Sequence, residues 1–291
     1  MSNKKILVTG VNGQLGRAIK KAYEGTCDII GTDAIELEGS SVLDITNLDA
    51  VMDMVKATKP DSIINCAAMT NVDGCETAED MAYKVNSVGP RNLAIASSEI
   101  GAKIIHISTD YVFSGNATKP YTEFDAPAPV SAYGRTKLAG ENLVKEMSNR
   151  FFILRTAWLY GDGKNFVKTM LNAAATRDEV SVVMDQLGTP TSATELAKMI
   201  MFLENTESYG TYHATCEGYT NWADFTEEIY RLKGIKTKVN HITSEDYKKI
   251  NPASANRPAY GILDNMMLRL TTDKFMMADW HDAIREYLGL L

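Results

Sequence analysis

The run Ile6-Leu7-Val8-Thr9 leads directly into Gly10-Val11-Asn12-Gly13-Gln14-Leu15-Gly16, a GxxGxxG sequence, and then into a helical pattern over residues 15–23. No other feature constrains the fold as strongly. A strand that turns sharply into a helix needs glycine where the backbone doubles back, where it approaches a pyrophosphate and where the helix lies close on the sheet. Free N–H groups at the helix start attract an anion, so the turn reads as a phosphate loop at the first β–α corner of a dinucleotide-binding sheet. Asp33, twenty-three residues after Gly10 and at the end of the second predicted strand, is placed to accept hydrogen bonds from an adenosine ribose. A carboxylate there repels a 2′-phosphate and favours NADH over NADPH, whereas Arg17, just after the loop, offers a partner for that phosphate.

The next 130 or so residues repeat the same rhythm. β-branched runs over 28–32, 62–66, 103–108 and 151–155 alternate with helical patterns over 46–56, 76–100 and 132–147, and Gly89-Pro90 predicts a kink in the longest helix. Strands that alternate with helices must pair in parallel, because each crossover returns to the same edge. Beyond Tyr160 the pattern loosens, with weaker strands near 180–184, 210–214 and 238–242 and helices near Phe166, Thr194, Trp222 and Asp279. The expected fold is therefore α/β: a Rossmann-like doubly wound parallel sheet over residues 1–160. A smaller C-terminal α/β substrate-binding region follows over 161–291, with some of its segments free to return to the first domain. A cleft between the halves is the natural ligand site.

Composition narrows the function. Thirty basic against thirty-seven acidic residues give a net charge of −7, which supplies no field for a nucleic-acid backbone. No apolar run approaches a membrane span, and the N-terminal one is too short for a signal peptide, so a cytoplasmic location is expected. The four cysteines show no CxxC spacing and read as reduced, mostly buried thiols. The four histidines show no i, i+4 pairing, and no metal site is expected.

Tyr133-Gly134-Arg135-Thr136-Lys137 opens a strongly helical stretch, and the four-residue spacing brings phenol and ammonium onto one face. An ammonium and an oxidised nicotinamide both favour phenolate, so the spacing predicts a lowered Tyr133 pKa and a proton donor or acceptor. Upstream, Ser108, Thr109 and Asp110 stand at the carboxyl end of a predicted parallel strand, where such sheets bind ligands. Thr109 is placed to hold a substrate carbonyl oxygen, with Ser108 and Asp110 as rivals for that role.

Taken together, these residues resemble the extended short-chain dehydrogenase/reductase superfamily. More narrowly, the strings Gly13-Gln14-Leu15-Gly16, Asp44-Ile45-Thr46, Asn65 to Asp73, Ser108 to Phe113, Arg155 to Gly161 and Arg257-Pro258 resemble the dTDP-4-dehydrorhamnose reductase family over nearly the whole chain. The resemblance implies hydride transfer from NADH or NADPH to C4 of dTDP-6-deoxy-L-lyxo-4-hexulose, giving dTDP-L-rhamnose for nucleotide-sugar and polysaccharide biosynthesis. It makes Tyr133 the proton donor, Lys137 its electrostatic partner and Thr109 the group that orients the keto oxygen. It assigns Gly10, Asn12, Gly13, Gln14, Leu15 and Gly16 to the coenzyme phosphates and Asp44 and Ile45 to the adenine. Ala67 and Ala68, with Met69 beside them, fall near the nicotinamide-side phosphate and ribose, and Asn86 supports the coenzyme. Thr109, Asp110, Trp158 and Arg257 fall to the sugar nucleotide.

One departure concerns assembly. Some members bridge two subunits through Mg²⁺ with an acidic residue two positions after the third loop glycine, where this chain has Ala18. The sequence does not fix the oligomeric state, and a homodimer, if the chain forms one, is expected to lack that bridge. Two rival functions remain: an epimerase or dehydratase that keeps its dinucleotide bound, and a non-catalytic NAD(P)-binding regulatory subunit.

Overall fold

The computed structural model describes residues 4–290. Seven parallel strands form its main sheet: β1 (Lys5–Thr9), β2 (Asp28–Asp33), β3 (Ser41–Val42), β4 (Ser62–Asn65), β5 (Lys103–Thr109), β6 (Phe151–Thr156) and β7 (Gly210–His213). They lie in the order β7-β6-β5-β4-β1-β2-β3. The chain winds outward from β1 to β3 and then returns to the other side of β1. This places the topological switch between β1 and β4, where an open α/β sheet binds its ligand.

Burial on both faces explains why these strands are uninterrupted apolar runs rather than alternating ones. Ile6, Val8, Ile64, Ile105, Phe152 and Leu154 project to one face with Leu15 and Ile19 of the helix Gln14–Ala22 and Leu196 and Ile200 of Ala193–Glu204. Leu7, Ile63, Ile104 and Ile153 project to the other, against Val51 and Val55 of Leu48–Thr58 and Leu93 of Gly89–Ile100. Gly16 is what lets the first helix sit so close. A Cβ there would lie 2.5 Å from the carbonyl oxygen of Gly10 and from Val11 Cα.

The single helix expected over 76–100 is in fact four segments. Val72–Thr77 starts early because Asn71 Oδ1 accepts from the Gly74 N–H at 3.0 Å, and Glu79–Tyr83, a π turn at Lys84–Val88 and Gly89–Ile100 follow. Pro90 has no N–H to donate into the preceding turn, and the helical ladder is reset around it.

The second half builds its own core from Val167, Val180, Phe225, Ile229 and Trp280. These side chains come from the helices Phe166–Ala174, Trp222–Lys233 and Trp280–Tyr287 and from the parallel pair Glu179–Val183 and Lys238–Ile242. Two segments beyond Tyr160 belong to the main sheet: β7 pairs with β6, and Ala193–Glu204 packs on its face. Short elements such as Ser41–Val42, Ser244–Ile250 and Met266–Thr271 carry too few residues to show a hydrophobic period in sequence. Among the described residues no helix is long and apolar enough to cross a membrane.

Candidate active site

A cleft of about 730 Å³ opens at the carboxyl ends of β1, β4, β5 and β6. Its walls bring together Gly10, Gly13, Gln14, Leu15, Gly16, Asp33, Asp44, Ile45, Ala67 and Ala68 at one end. Thr109, Asp110, Tyr133, Lys137 and Trp158 stand in the same cleft. The loop turns because the Gly13 N–H donates to the Gly10 carbonyl at 3.0 Å, and Asp33 receives the Asn12 N–H at 3.2 Å and the Ala34 N–H at 2.8 Å. Asp44 is held as a carboxylate, below the usual range, by hydrogen bonds from Thr46.

Four expected site residues do not line the cleft. Asn12 turns its amide to Ser40 Oγ at 2.9 Å, so only its backbone serves the loop. Asn86 is fully buried; its Oδ1 accepts from the Met69 N–H at 2.8 Å, and its amide donates to the Met69 carbonyl at 3.1 Å and to Thr136 Oγ1 at 3.2 Å. Through these bonds Asn86 holds the backbone of the segment after β4. Arg257 is paired with Asp73 at 3.1 Å, and its charge is felt by Tyr111, which does line the cleft. Arg17, the alternative partner for a 2′-phosphate, donates instead to the carbonyls of Asn12 and Asp162.

The proton-handling groups converge through the helix Ala132–Met147. Ser131 caps it by accepting from the Gly134 N–H at 3.1 Å, which sets Tyr133 in the first turn and Lys137 one turn on. Lys137 is only 2% exposed. Its Nζ donates to the Ile107 carbonyl at 2.6 Å and meets His106 Nε2 at 3.4 Å. Burial lowers the lysine to about 8, opposed by the nearby Glu141 and Cys66, and burial also holds His106 neutral. Thr109 Oγ1 donates to Asp110 Oδ1 at 3.0 Å, and burial pushes Asp110 up to about 7.

Tyr133 corrects an expectation. The half-buried phenol is raised, not lowered, by the protein around it: burial outweighs the neighbouring Thr109 hydroxyl, which acts in the opposite direction. The ring packs edge-on against Tyr111 with centroids 5.4 Å apart. A phenol so held stays protonated, which suits a proton donor better than a base.

Trp158 adopts a φ of +47°, an unfavourable backbone for a bulky residue, and its indole stacks on Trp222 with centroids 3.5 Å and planes 10° apart. Trp222 also lines the cleft, yet nothing in its sequence surroundings marks it. It reaches the site only because its helix packs across the second half. Among the described residues one exposed trio of metal-type donors, Asp224, Glu227 and His241, brings ligand atoms within 4.8 Å of one another. None of the three lines the cleft, and His241 Nε2 is hydrogen-bonded to Glu227 at 2.8 Å.

Residues 4–291 match the family described as RmlD substrate binding domain. A solved dTDP-4-dehydrorhamnose reductase from Clostridium acetobutylicum is 50% identical, with a TM-score of 0.93 over 98% of this chain and 99% of its own. One from Bacillus anthracis, solved in complex with NADP, is 40% identical with a TM-score of 0.93 over 100% of both chains. The dTDP-4-dehydrorhamnose reductase of Aggregatibacter actinomycetemcomitans is 37% identical over 97% of each chain.

Proposed function

The chain belongs to the RmlD family of dTDP-4-dehydrorhamnose reductases, and on that premise we propose that it is an NAD(P)H-dependent oxidoreductase reducing the 4-keto group of dTDP-4-dehydro-6-deoxy-L-mannose to dTDP-L-rhamnose. The observation that carries the reading is the convergence of Thr109, Tyr133 and Lys137 in the cleft that also holds the glycine loop and Asp33. A bound NAD(P)H would supply the hydride.

Each residue then has a task. Loop N–H groups hold the pyrophosphate at the helix N-terminus, and Asp33 takes the adenosine ribose. Thr109 turns its hydroxyl proton from Asp110 to the ketone oxygen and aligns it with Tyr133, which gives up its proton as the oxygen gains charge. The Lys137 ammonium stabilises the phenolate left behind. Trp158 offers an indole face to the sugar and Asp110 stands beside Thr109 in the same cleft, whereas Arg257, held by Asp73, acts through its charge on Tyr111.

The test uses purified protein, reduced coenzyme and the 4-keto sugar nucleotide. Stoichiometric coenzyme oxidation with formation of the 6-deoxy-hexose nucleotide is the expected result. Tight dinucleotide binding without turnover would point instead to a regulatory subunit, and bound coenzyme that is never consumed to an epimerase.

The coenzyme preference follows from Asp33 and Arg17. The carboxylate faces the cleft, while the guanidinium is spent on two backbone carbonyls. NADH is therefore the favoured coenzyme. Asp33→Asn removes the charge that repels a 2′-phosphate and is expected to shift the ratio of kcat/KM values toward NADPH by about tenfold, roughly 1.4 kcal/mol. An unchanged ratio rejects this role for Asp33.

The protein is expected to work in the cytoplasm. Any homodimer forms without the Mg²⁺ bridge, since Ala18 packs against the apolar cluster around Ile19 and offers no ligand.

A further inference from the structure

One fully buried acid close to the site has no part in the chemistry above. Glu141 stands one turn beyond Lys137 and two beyond Tyr133 on the same helix, and it is 0% exposed. Its Oε1 accepts from Ser108 Oγ at 2.6 Å and from Arg155 Nε at 2.9 Å, and its Oε2 accepts from Arg155 Nη2 at 2.7 Å. Ser108 immediately precedes Thr109 at the end of β5, and Arg155 lies on β6. We propose that Glu141 is a positioning residue for the reduction: its carboxylate ties the Tyr133–Lys137 helix to the Ser108–Thr109 strand end and to Arg155, fixing where phenol and hydroxyl meet the ketone. The proposal rests on the reductase reading given above.

The chemistry favours positioning over mere packing. A buried ion pair is costly to desolvate, and well-packed apolar side chains of similar volume hold a fold as well or better. A charge kept at 0% exposure is therefore better explained by what it orients than by stability alone. The geometry is also specific. The Arg155 guanidinium engages both carboxylate oxygens through Nε and Nη2 and rests over the Phe113 ring, with 5.1 Å from Cζ to the ring centroid, which fixes the plane of the carboxylate. One oxygen is thereby aimed at Ser108. Catalysis that depends on approach geometry is sensitive to displacements of about 1 Å, and Ser108 is one residue from the hydroxyl that orients the ketone.

Glu141 also acts on Lys137 through space. The groups facing that ammonium are Glu141 from its own helix, His106 from β5 and the Cys66 thiol after β4. Glu141 raises the lysine pKa against burial, so removing the carboxylate shifts the lysine further down. The alkaline fall of activity, expected near pH 8 in the parent as Lys137 loses its proton, then moves toward lower pH.

The test compares pH profiles and the split between kcat and KM in three variants, with the parent assayed alongside. Glu141→Gln is expected to lower kcat by about tenfold, to change the sugar-nucleotide KM by less than about threefold, and to move the alkaline limb acidward by about half a pH unit or more. Ser108→Ala removes the link without touching charge; it is expected to lower kcat by about threefold or more with the limb unmoved. The double variant Glu141→Leu with Arg155→Leu removes both charges together, so it leaves no buried ion unpaired. It is expected to fold with a Tm near the parent's and to be slow in kcat, and it decides the matter if Glu141→Gln does not fold. Parental kcat in Ser108→Ala or in the folded double variant overturns the proposal, as does a folded Glu141→Gln with parental kcat and pH profile. A parent that fails to reduce the ketone overturns the reductase reading instead.

Discussion

Replacing Tyr133 by phenylalanine is expected to lower kcat by about a thousandfold while coenzyme affinity stays within about threefold. The phenol stands in the cleft with Thr109, and Lys137 follows one turn along its helix; a reduction that leaves an alkoxide unprotonated loses most of its driving force. Phenylalanine keeps the ring against Tyr111. Thr109 keeps its bond to Asp110, so no cavity and no new unpaired hydroxyl is created. The fold is therefore expected to survive, and the loss should fall on kcat rather than on the coenzyme Kd. Steady-state coenzyme oxidation and a fluorescence titration measure the two quantities. A variant that turns over at more than about a tenth of the parental rate would remove Tyr133 from the role of proton donor.

Gly134→Ala is expected to be nearly as damaging, for a steric reason. A Cβ on Gly134 would lie 2.1 Å from the carbonyl oxygen of Tyr111 and 3.0 Å from Pro129 Cβ. A backbone carbonyl in the turn that follows Thr109 cannot rotate away as a side chain can, so helix and turn must separate. The expected cost is about 3 kcal/mol of stability, or a Tm lower by roughly 6–10 °C. Tyr133 moves away from Thr109 in the same step, and kcat/KM should fall by about a hundredfold. Gly101→Ala is the control. Its φ is +70° but its Cβ would meet nothing within 4 Å, so it should cost only about 1 kcal/mol and leave activity unchanged. Chemical denaturation and initial rates test both. Equal losses for the two variants would refute the steric account.

The sheet was legible because its strands are buried on both faces. Runs such as Ile63-Ile64 and Ile104-Ile105 need no neighbour to be recognised as core strands. The glycine turn and Asp33 were legible because a phosphate loop is a local device, with every requirement carried within one β–α–β stretch. The same holds for Tyr133 and Lys137, one helical turn apart. What the sequence could not reveal depends on contacts between distant segments. Trp222 meets the cleft on its helix through the second half and stacks there on Trp158, sixty-four positions earlier. Glu141 could have been noticed as the next residue on the Tyr133–Lys137 stripe, but its partners lie on two other strands. Asn86 was expected to support the coenzyme, but sequence alone does not show how: its side chain brackets the Met69 backbone, seventeen positions earlier, next to the Ala67-Ala68 stretch that lines the cleft. The raised phenol of Tyr133 follows from burial, which a list of neighbours in sequence does not contain.

The place of β7 in the sheet bears on how the polypeptide is made. β6 is complete at Thr156, but the strand that covers its outer edge ends only at His213. A ribosome adding about 5–20 residues per second leaves that edge open for roughly 3–11 s, with Phe152 and Leu154 awaiting Tyr212 and the helix Ala193–Glu204. Over that interval the nascent chain presents an unpaired apolar strand to its surroundings. Fragments ending near residue 160 should accordingly precipitate or bind chaperones through that edge.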